Sequence, residues 1–290
     1  MNKISPKIKI IIIILLLICI FSIFYKNQNY TEKYFDENGT KKYNVLTLDQ
    51  WNRLKNFQNK KKLSNLKCCV VSGDDRINDE ILLLKNINKK YCLKNNYDFI
   101  FFDKKMIKDL DFENKYSPYW WKVALILKIM MESDYDYIMW LDSDACFNDH
   151  NFKLENLCSV DKNIIFYMCS DNIEWHSPFN AGVWIIKNDS RGKEFMLEWL
   201  NMYNSSKWTK NKGKWSCKNL FFSCRWAGDE YEQGACCKLI NKEKYAPYVL
   251  NLPWQAFQHM HEPSKYSYVM HFADINKKHI KNYVKKYFKN

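Results

Sequence analysis

Two aspartates, Asp142 and Asp144, follow an apolar run and form the pattern in this chain that is best suited to chemistry. The run from Tyr137 to Leu141 carries no charge, which is typical of a strand buried on both faces of a largely parallel sheet. Side chains alternate along a strand, so the two carboxylates point the same way at its carboxyl end, where open α/β sheets bind ligands. Two oxygen ligands aimed at one point suit Mg²⁺ or Mn²⁺, and such an ion can bridge to a diphosphate.

The same spacing recurs in two other places, Asp109 with Asp111 and Asp134 with Asp136. A triplet of this kind arises about once by chance in a chain of this length, so its surroundings must decide its meaning. These two triplets flank polar residues and follow no buried-strand pattern. They are predicted to be structural carboxylates at turns or helix ends.

The rest of the chain alternates predicted strands and helices, as in a nucleotide-binding α/β fold. The strands are predicted at 67–72, 97–102, 137–141, 163–169, 183–187, 248–252 and 268–272, and the helices at 79–94, 118–132, 190–203, 229–240 and from 277 onward. No G-x-G-x-x-G or Walker loop is present in the sequence. The phosphates of a nucleotide are therefore predicted to be held by a metal ion rather than by a glycine loop.

Further candidate binding residues lie at the ends of these elements. The first strand runs into Gly73 and Asp74, and the small residues around Gly182 would let the backbone approach a ligand closely. The helix that opens at Pro118 carries Trp and Lys in its first turns, which either meet a base or phosphate or simply pack. His271 ends the last strand, and from position alone it reads more readily as a core residue than as a ligand.

The amino terminus resembles a membrane leader. Residues 10–24 are apolar except for Ser22 and follow Lys3, Lys7 and Lys9. This run is short for a hydrocarbon layer of ~30 Å, but no small-x-small cleavage site follows it. We therefore predict a cytosolic tail at 1–9, an uncleaved signal anchor at 10–25, and a polar stem at 26–62 that contains one amphipathic helix near 46–57. The catalytic domain is predicted to span 63–290 and to fold without the leader.

The net charge and the cysteine content exclude few classes of function. The net charge of +13 comes from lysines spread evenly along the chain, which attract nucleotides, membranes and nucleic acids alike. The eleven cysteines include no C-x-x-C pair, which argues against structural zinc. If the domain is lumenal, Cys217 and Cys224 are the pair expected to form a disulfide. Sequons at Asn29, Asn38, Asn188 and Asn204 agree with a secretory location but arise freely in an Asn-rich chain.

Six segments in order resemble one known family. They are Trp120-Trp121-Lys122, YDYIMWLDSDA, FNAGVWIIKN, YEQGACCKLI, LPWQAFQHM and VMHFA. Together, over roughly residues 66–275, they resemble the GT-A glycosyltransferases of family 34, the galactosyltransferase GMA12/MNN10 type. The resemblance implies a mixed, mostly parallel α/β sheet flanked by helices. It also implies a type II membrane protein that uses a nucleotide-sugar, needs Mn²⁺ (or Mg²⁺) and retains anomeric configuration.

The resemblance also implies roles for individual residues. It assigns the metal to Asp142, Asp144 and His271, and it places Gln233 near the anomeric carbon. Glu232 stands where the family usually has Asp, and Lys277 is a candidate for the phosphate-binding lysine although it comes slightly later than usual. The residues predicted to bind the nucleotide-sugar are Ser72, Gly73, Asp74, Trp121, Lys122, Asp142, Ser143, Asn180, Ala181, Gly182 and Lys277.

The predicted function is transfer of galactose, mannose, xylose or glucose to a glycan or glycoprotein acceptor in the Golgi or endoplasmic reticulum. Two retaining mechanisms remain open. In the first, Glu232 or Asp229 acts as a carboxylate nucleophile on the anomeric carbon. In the second, a front-side attack, the leaving phosphate oxygen takes the acceptor proton while Gln233 steadies the ion pair. We prefer the second, because no single carboxylate stands out. The alternative class is a catalytically inactive membrane protein of the same fold that binds carbohydrate or acts as a scaffold; a nucleic-acid partner is not expected.

Overall fold

Strands and helices alternate along the residues described by the computed structural model, which are 43–56, 66–171, 177–217 and 228–288. The strands are β1 (Asn44–Val45), β2 (Cys68–Gly73), β3 (Asp98–Phe102), β4 (Tyr137–Asp142), β5 (Ala145–Phe147), β6 (Phe166–Cys169), β7 (Val183–Lys187), β8 (Trp208–Asn211), β9 (Lys214–Cys217), β10 (Val249–Leu252) and β11 (Val269–His271). The α-helices are α1 (Leu48–Asn56), α2 (Asp79–Asn95), α3 (Lys104–Asp109), α4 (Phe112–Lys115), α5 (Pro118–Glu132), α6 (Leu154–Cys158), α7 (Ser190–Asn201), α8 (Glu232–Leu239) and α9 (Ile280–Tyr287). Short 3₁₀ turns lie at Ser205–Lys207, Ala246–Tyr248, Trp254–Ala256 and Asp274–His279.

The main sheet has seven strands in the order β1-β10-β6-β7-β4-β2-β3. Its neighbours pair in parallel except at β7, which runs antiparallel to both β4 and β6. The central strand β4 is buried from Tyr137 to Leu141, because helices and loops cover both faces of the sheet. The predicted mixed, mostly parallel α/β fold is confirmed.

A second, two-stranded sheet crosses the carboxyl end of β4. After Asp142 the chain turns, and β5 pairs antiparallel with β11 so that Ala145 faces His271. The predicted strand at 268–272 therefore exists, but it joins this small sheet and not the main one. Strand β5 and the β8–β9 hairpin were not predicted, because neither carries a long apolar or alternating run.

Residues 43–56 were predicted to lie in the stem, but in the structure they are part of the folded domain. These residues belong to the same compact unit as the sheet, which extends over Tyr43–Asn290. β1 adds a parallel strand to β10, and α1 confirms the predicted amphipathic helix. Trp51 is fully buried, its ring lies edge-on to Phe152, and its Nε1 donates to the Tyr266 carbonyl at 2.8 Å. The domain boundary predicted at residue 63 is therefore too late.

This packing predicts a stability difference between two fragments. A fragment of residues 63–290 should be less stable than one of residues 43–290, because it leaves the Trp51 site empty and exposes the edge of β10. Removing a buried Trp side chain alone costs about 3–5 kcal/mol. Urea unfolding of the two fragments and of Trp51→Ala in the longer one measures this loss; equal midpoints for all three would show that residues 43–56 contribute nothing.

Several predictions of the sequence lie outside the described residues. They are the tail at 1–9, the anchor at 10–25, the stem up to residue 42, and the Cys217–Cys224 disulfide, of which Cys224 is not described. Among the helices that the structure does describe, none is long and apolar enough to cross a membrane.

Candidate active site

Asp142, Asp144 and His271 meet at the carboxyl end of β4. One ligand atom from each lies within 4.8 Å of the other two. The His271 Nε2 is 3.3 Å from Asp144 Oδ1 and 4.0 Å from Asp142 Oδ2. Residues from two separate parts of the sequence are thus brought together, and two carboxylates with one imidazole form a donor set that suits a divalent cation.

Gln258 fixes the orientation of His271. The Nδ1 of the buried imidazole lies 2.6 Å from Gln258 Oε1. An amide oxygen only accepts, so Nδ1 carries the proton and Nε2 turns its lone pair toward the two carboxylates when the ring is neutral. This arrangement is the one a metal-binding histidine requires. Sequence reasoning missed Gln258, although it lies in the LPWQAFQHM segment on which the resemblance rests.

A glycine gives the imidazole its space. A Cβ on Gly182 would lie 2.2 Å from His271 Cε1 and 2.7 Å from its Nε2. The same loop is held in place because Gly182 N donates to Asn180 Oδ1, and Asp142 N donates to the Gly182 carbonyl at 2.7 Å. The small residues were predicted to let the backbone approach a ligand, and the close approach that the structure shows at Gly182 is to the imidazole of His271.

Lys122 connects the carboxylate of Asp142 to that of Glu232. Its Nζ lies 2.8 Å from Asp142 Oδ1, 3.2 Å from the Ala181 carbonyl and 3.4 Å from Glu232 Oε1. Burial opposes the ammonium charge, but Asp142 and Glu232 raise the pKa of Lys122 above its ordinary value. Because Trp140 Nε1 also donates to Asp142 Oδ1 at 2.7 Å, that oxygen is held by protein groups and Oδ2 faces His271.

Glu232 is buried beside Lys122. Burial raises the pKa of its carboxyl to about 7, and Lys122 opposes this rise only in part. Its Oε2 has no hydrogen-bond partner among the residues that the structure describes. Of the two carboxylates considered as nucleophile, Glu232 joins this network, whereas Asp229 is 44% exposed and pairs with Lys238 at 2.8 Å.

The raised pKa predicts how stability changes with pH. Glu232 binds its proton more tightly in the folded protein, so its contribution to stability is complete below the unfolded pKa near 4.5 and is lost as pH rises through about 7. In metal-free buffer the Glu232→Gln variant should lack this loss, on the order of 1–3 kcal/mol. Urea unfolding of both proteins at pH 4.5 and 8 tests it, and an identical pH dependence would contradict the prediction.

The side chain of Gln233 binds the loop that contains Ser177 and Ala181 and does not line an open site. Its Oε1 accepts from Ala181 N at 2.9 Å and its Nε2 donates to Ser177 Oγ at 3.1 Å. Both ends of the amide are engaged, and the side chain is buried. Gln233 therefore fixes the position of the Ala181 carbonyl that accepts from Lys122.

A pocket of about 370 Å³ opens beside Asp144. It is lined by Asp74, Arg76, Asn78, Glu80, Ile81, Asp144, Lys277, Lys278 and Ile280. Lys277 Nζ lies 3.2 Å from Asp144 Oδ2; burial works against the Asp144 charge, but His271 and Lys277 hold the pKa of that carboxyl at about 2. Ser143 Oγ donates to Asp74 Oδ2 at 2.5 Å and ties the pocket to the D-x-D strand end.

Not every predicted donor-binding residue faces this pocket. Trp121 is buried, and its Nε1 donates to the carbonyls of Phe112 and Tyr116, each at 3.1 Å. Ser72 is also buried, and a Cβ on Gly73 would meet the Phe102 carbonyl at 2.7 Å. These three residues pack against neighbouring groups, and their contact with a donor stays a prediction. Conversely, Arg76 and Lys278 line the pocket but carried no sequence motif.

The two other aspartate pairs are structural, as predicted. Asp134 forms an ion pair with Lys67, and Asp136 accepts from the Lys67 backbone N at 2.8 Å. Asp109 and Asp111 pair with lysines four residues away on the surface, Lys105 and Lys115 respectively.

A model of one protein family matches the part of the chain that contains Asp142 and Asp144. The model of the galactosyl transferase GMA12/MNN10 family matches residues 63–172, a stretch that contains the D-x-D strand end. The matched residues make up less than half of the chain, and for the motifs within them the resemblance to this family is confirmed.

Relatives of this family align with part of the chain. Galactomannan galactosyltransferase 1 of Cyamopsis tetragonoloba is 33% identical over 132 residues, which cover 43% of this chain and 29% of that protein. Xyloglucan 6-xylosyltransferase 2 of Arabidopsis thaliana is 26% identical over 139 residues, which cover 46% of this chain and 29% of that protein. The chain thus matches under a third of the length of either relative.

A solved structure shares the fold. The crystal structure of a glycosyltransferase involved in the glycosylation of the major capsid of PBCV-1 superposes with a TM-score of 0.52 at 15% identity. The superposition covers 74% of this chain and 98% of the other. The α/β architecture described here is therefore that of a known glycosyltransferase.

Proposed function

We propose that this chain is a metal-dependent, retaining glycosyltransferase that moves a hexose or pentose from a nucleotide-diphosphate sugar to a carbohydrate or glycoprotein acceptor. The observation that carries the proposal is the meeting of Asp142, Asp144 and His271 beside a charged pocket that Asp144 helps to line. A divalent cation held there, together with the side chains of Arg76, Lys277 and Lys278, suits a diphosphate, and residues 63–172 match the model of a galactosyl transferase family.

The donor would lie with its nucleotide in the pocket beside Asp144 and its sugar toward Lys122. Lys277, Lys278 and Arg76 line the pocket and supply positive charge for the phosphates. Lys277 already contacts Asp144, so it can reach a phosphate bound at the same carboxylate. On the other side of the strand end, Lys122 contacts Asp142, the Ala181 carbonyl and Glu232, so it would position these groups beside the sugar rather than bind the sugar itself.

The metal would be held by Asp142, Asp144 and His271, and we propose Mn²⁺ with Mg²⁺ as the alternative. Bound there, a divalent cation supplies Lewis acidity to the departing diphosphate. The fit rests on the donor set and on Gln258, which turns the Nε2 of His271 toward both carboxylates. Titration calorimetry with Mn²⁺ on wild type and Asp142→Asn measures this binding without any turnover.

Lys122 and Glu232 would have separate roles in the transfer. Lys122 keeps Asp142 in place and balances the charge of Glu232. Glu232 would then face the sugar from the side opposite the pocket beside Asp144, where a buried carboxylate stabilises positive charge that builds on the ring. This arrangement is compatible with front-side attack, in which Glu232 would steady the ion pair in place of Gln233, whose amide is engaged at both ends. It also leaves Glu232, and not Asp229, as the carboxylate for a covalent route.

The names of the relatives indicate which donors to try first. One is called a galactosyltransferase and another a xylosyltransferase, so UDP-galactose and UDP-xylose come before UDP-glucose and GDP-mannose. We expect hydrolysis of one of these four by the fragment of residues 43–290 in the presence of Mn²⁺, and its loss with EDTA. Hydrolysis of none, with the protein folded and Mn²⁺ bound, would favour the inactive carbohydrate-binding alternative.

We also propose that the chain is a single-pass type II protein of the Golgi or endoplasmic reticulum membrane. The support is the basic-then-apolar order of residues 3–24, which precedes the described part of the chain. Protease treatment of sealed microsomes tests it. A domain that is digested without detergent would reverse the proposed orientation.

A further inference from the structure

Strand β5 has a partner strand on one side. Among the residues that the structure describes, it pairs antiparallel with β11 alone. The backbone N–H of Phe272 donates to the Asp144 carbonyl at 2.8 Å, so the backbone of Asp144 faces β11. Backbone groups alternate between the two sides of a strand, so Ala145 and Phe147 turn theirs away from β11. Both residues are fully buried, and their polar backbone groups therefore need another partner.

The side chain of Asn88 takes the place of a strand on that other side. From the middle of α2, its Nδ2 donates to the Ala145 carbonyl at 2.9 Å and its Oδ1 accepts from Phe147 N at 3.0 Å. A carbonyl oxygen only accepts and a backbone N–H only donates, so these two partners fix the orientation of the amide. One buried side chain thus makes both bonds that a residue of a neighbouring parallel strand would make.

Ala145 links two residues of the candidate metal site. It directly follows Asp144 in the chain, and it lies opposite His271 in the ladder between β5 and β11. Since its own N–H and carbonyl face away from β11, Ala145 and His271 form a pair without mutual backbone hydrogen bonds, the kind in which opposite residues lie closest. The hydrogen bond from Asn88 therefore holds the residue that is joined to one ligand and packed against another.

Helix α2 is a firm support for this contact. Leu84, Asn88 and Tyr91 are spaced so that they share one face of the helix. Leu84 packs in the same apolar cluster as Cys146, and the ring of Tyr91 stacks on that of Phe147 with centroids 3.6 Å apart. The start of the same helix lines the pocket described above. A shift of β5 relative to α2 is thus opposed by packing on both sides of the amide.

We infer that Asn88 is a positioning residue, which acts through the backbone of β5 to hold Asp144 against His271 in the arrangement that a shared divalent cation requires. The inference rests on the proposed function, since it takes these two residues as ligands of one ion. Both ends of the Asn88 amide bind backbone groups, so its effect reaches the ligands only through the chain. Asparagine suits this role because a short side chain must offer one donor and one acceptor; aspartate of the same size lacks the donor.

The first test measures Mn²⁺ binding by titration calorimetry on the full chain, without any turnover. Asn88→Leu is close in size and loses both bonds, and we expect it to bind Mn²⁺ about tenfold more weakly. This is the lower end of the loss seen when a group that orients a metal ligand is removed. Asn88→Asp keeps the acceptor for Phe147 N and loses the donor to the Ala145 carbonyl, so its loss should be smaller, about threefold.

A second readout works in metal-free protein. Hydrogen exchange, followed by NMR, reports on the Phe272 N–H, whose acceptor is the Asp144 carbonyl. If Asn88 holds this part of the chain, Asn88→Leu should speed exchange at Phe272 about tenfold more than exchange at Val70 in the main sheet. A side chain that only adds to overall stability would speed exchange at both positions alike.

The matched control is Tyr91→Phe on the same face of α2. It keeps the ring on Phe147 but removes a buried hydroxyl, which donates to the Phe152 carbonyl at 2.9 Å and lies 2.5 Å from the Tyr268 hydroxyl. We expect a lower urea midpoint, as in Asn88→Leu, with wild-type Mn²⁺ affinity.

Three results would overturn the inference: wild-type Mn²⁺ affinity in Asn88→Leu, an equal loss of affinity in Tyr91→Phe, or exchange at Phe272 that Asn88→Leu speeds no more than Tyr91→Phe does. Failure of the proposed function gives a different result. If the wild type itself binds no Mn²⁺, the metal-dependent function fails, and the exchange at Phe272 still decides whether Asn88 holds Asp144 in place.

Discussion

Replacing Asp144 by Asn should lower donor hydrolysis by a factor of roughly a hundred or more, the scale of losing one strong electrostatic contact in a transition state. The substitution keeps the size of the side chain but removes the charge that faces both His271 and Lys277. The proposed metal site then loses a charged oxygen ligand, and Lys277 loses the carboxylate that holds it at the pocket. Initial rates of donor hydrolysis at saturating Mn²⁺ measure the effect, and circular dichroism shows that the fold is kept.

The chain contains matched controls for this substitution. Asp134 and Asp109 belong to the same kind of triplet, but their side chains are 78% and 62% exposed and pair with surface lysines. Exposed ion pairs contribute about 0–1 kcal/mol, so Asp134→Asn and Asp109→Asn should be nearly silent in rate and in stability. If Asp134→Asn loses as much activity as Asp144→Asn, the end of β4 is not the metal-binding edge and the proposed function fails with it.

The centre of this site could be predicted because its signal is local. A strand buried on both faces needs an uninterrupted apolar run, and polar residues directly after it must lie at the sheet edge. Tyr137–Asp142 has both features, so β4 and its two aspartates followed from the sequence. His271 needed more than local pattern: only the order of several motifs distinguished it from a core histidine.

The surroundings of the site could not be predicted, because they depend on which distant segments meet. Arg76 and Lys278 line one pocket although about two hundred positions separate them. Each is an ordinary basic residue in its own segment. Gln258 likewise gains its role only because β11 brings His271 beside it.

Neighbours in sequence can also differ in role. Trp121 and Lys122 both looked like donor contacts, but a helix turns about 100° per residue, so adjacent side chains face different directions. Lys122 faces Asp142, whereas Trp121 faces the carbonyls of Phe112 and Tyr116. Which face of α5 points to the site is decided by tertiary packing and not by the helix sequence.

The error at the domain boundary has a similar origin. Residues 43–56 are polar on average, and this composition is the one expected of a stem. Their attachment depends on single positions: Trp51 enters the core, and two residues of β1 pair with β10. A polar segment with one buried aromatic residue cannot be distinguished from a free one by composition.

Gly182→Ala is the second change from which we expect a large effect, and it acts without touching a charge. The new Cβ would lie 2.2 Å from His271 Cε1 and 2.9 Å from Asn180 Oδ1, closer than nonbonded atoms approach each other. His271 must then move away and lose its contact with Gln258 or with Asp144. We expect Mn²⁺ affinity to fall about ten- to hundredfold, as when a partner that orients a metal-binding histidine is lost. Overpacking a buried site also lowers the free energy of unfolding by about 1–3 kcal/mol.

Gly213→Ala separates the effect of this contact from the general cost of replacing a glycine. Gly213 has φ +77° and open space around its Cα, so an alanine there is strained but meets no other group. We expect a stability loss of about 1 kcal/mol and unchanged Mn²⁺ affinity, since the hairpin turn does not contact the metal ligands. Calorimetric titration of Mn²⁺ and urea unfolding on both variants give the comparison. Wild-type Mn²⁺ affinity in Gly182→Ala would contradict this prediction. It would show that Mn²⁺ binding does not depend on the position in which Gly182 allows His271 to lie.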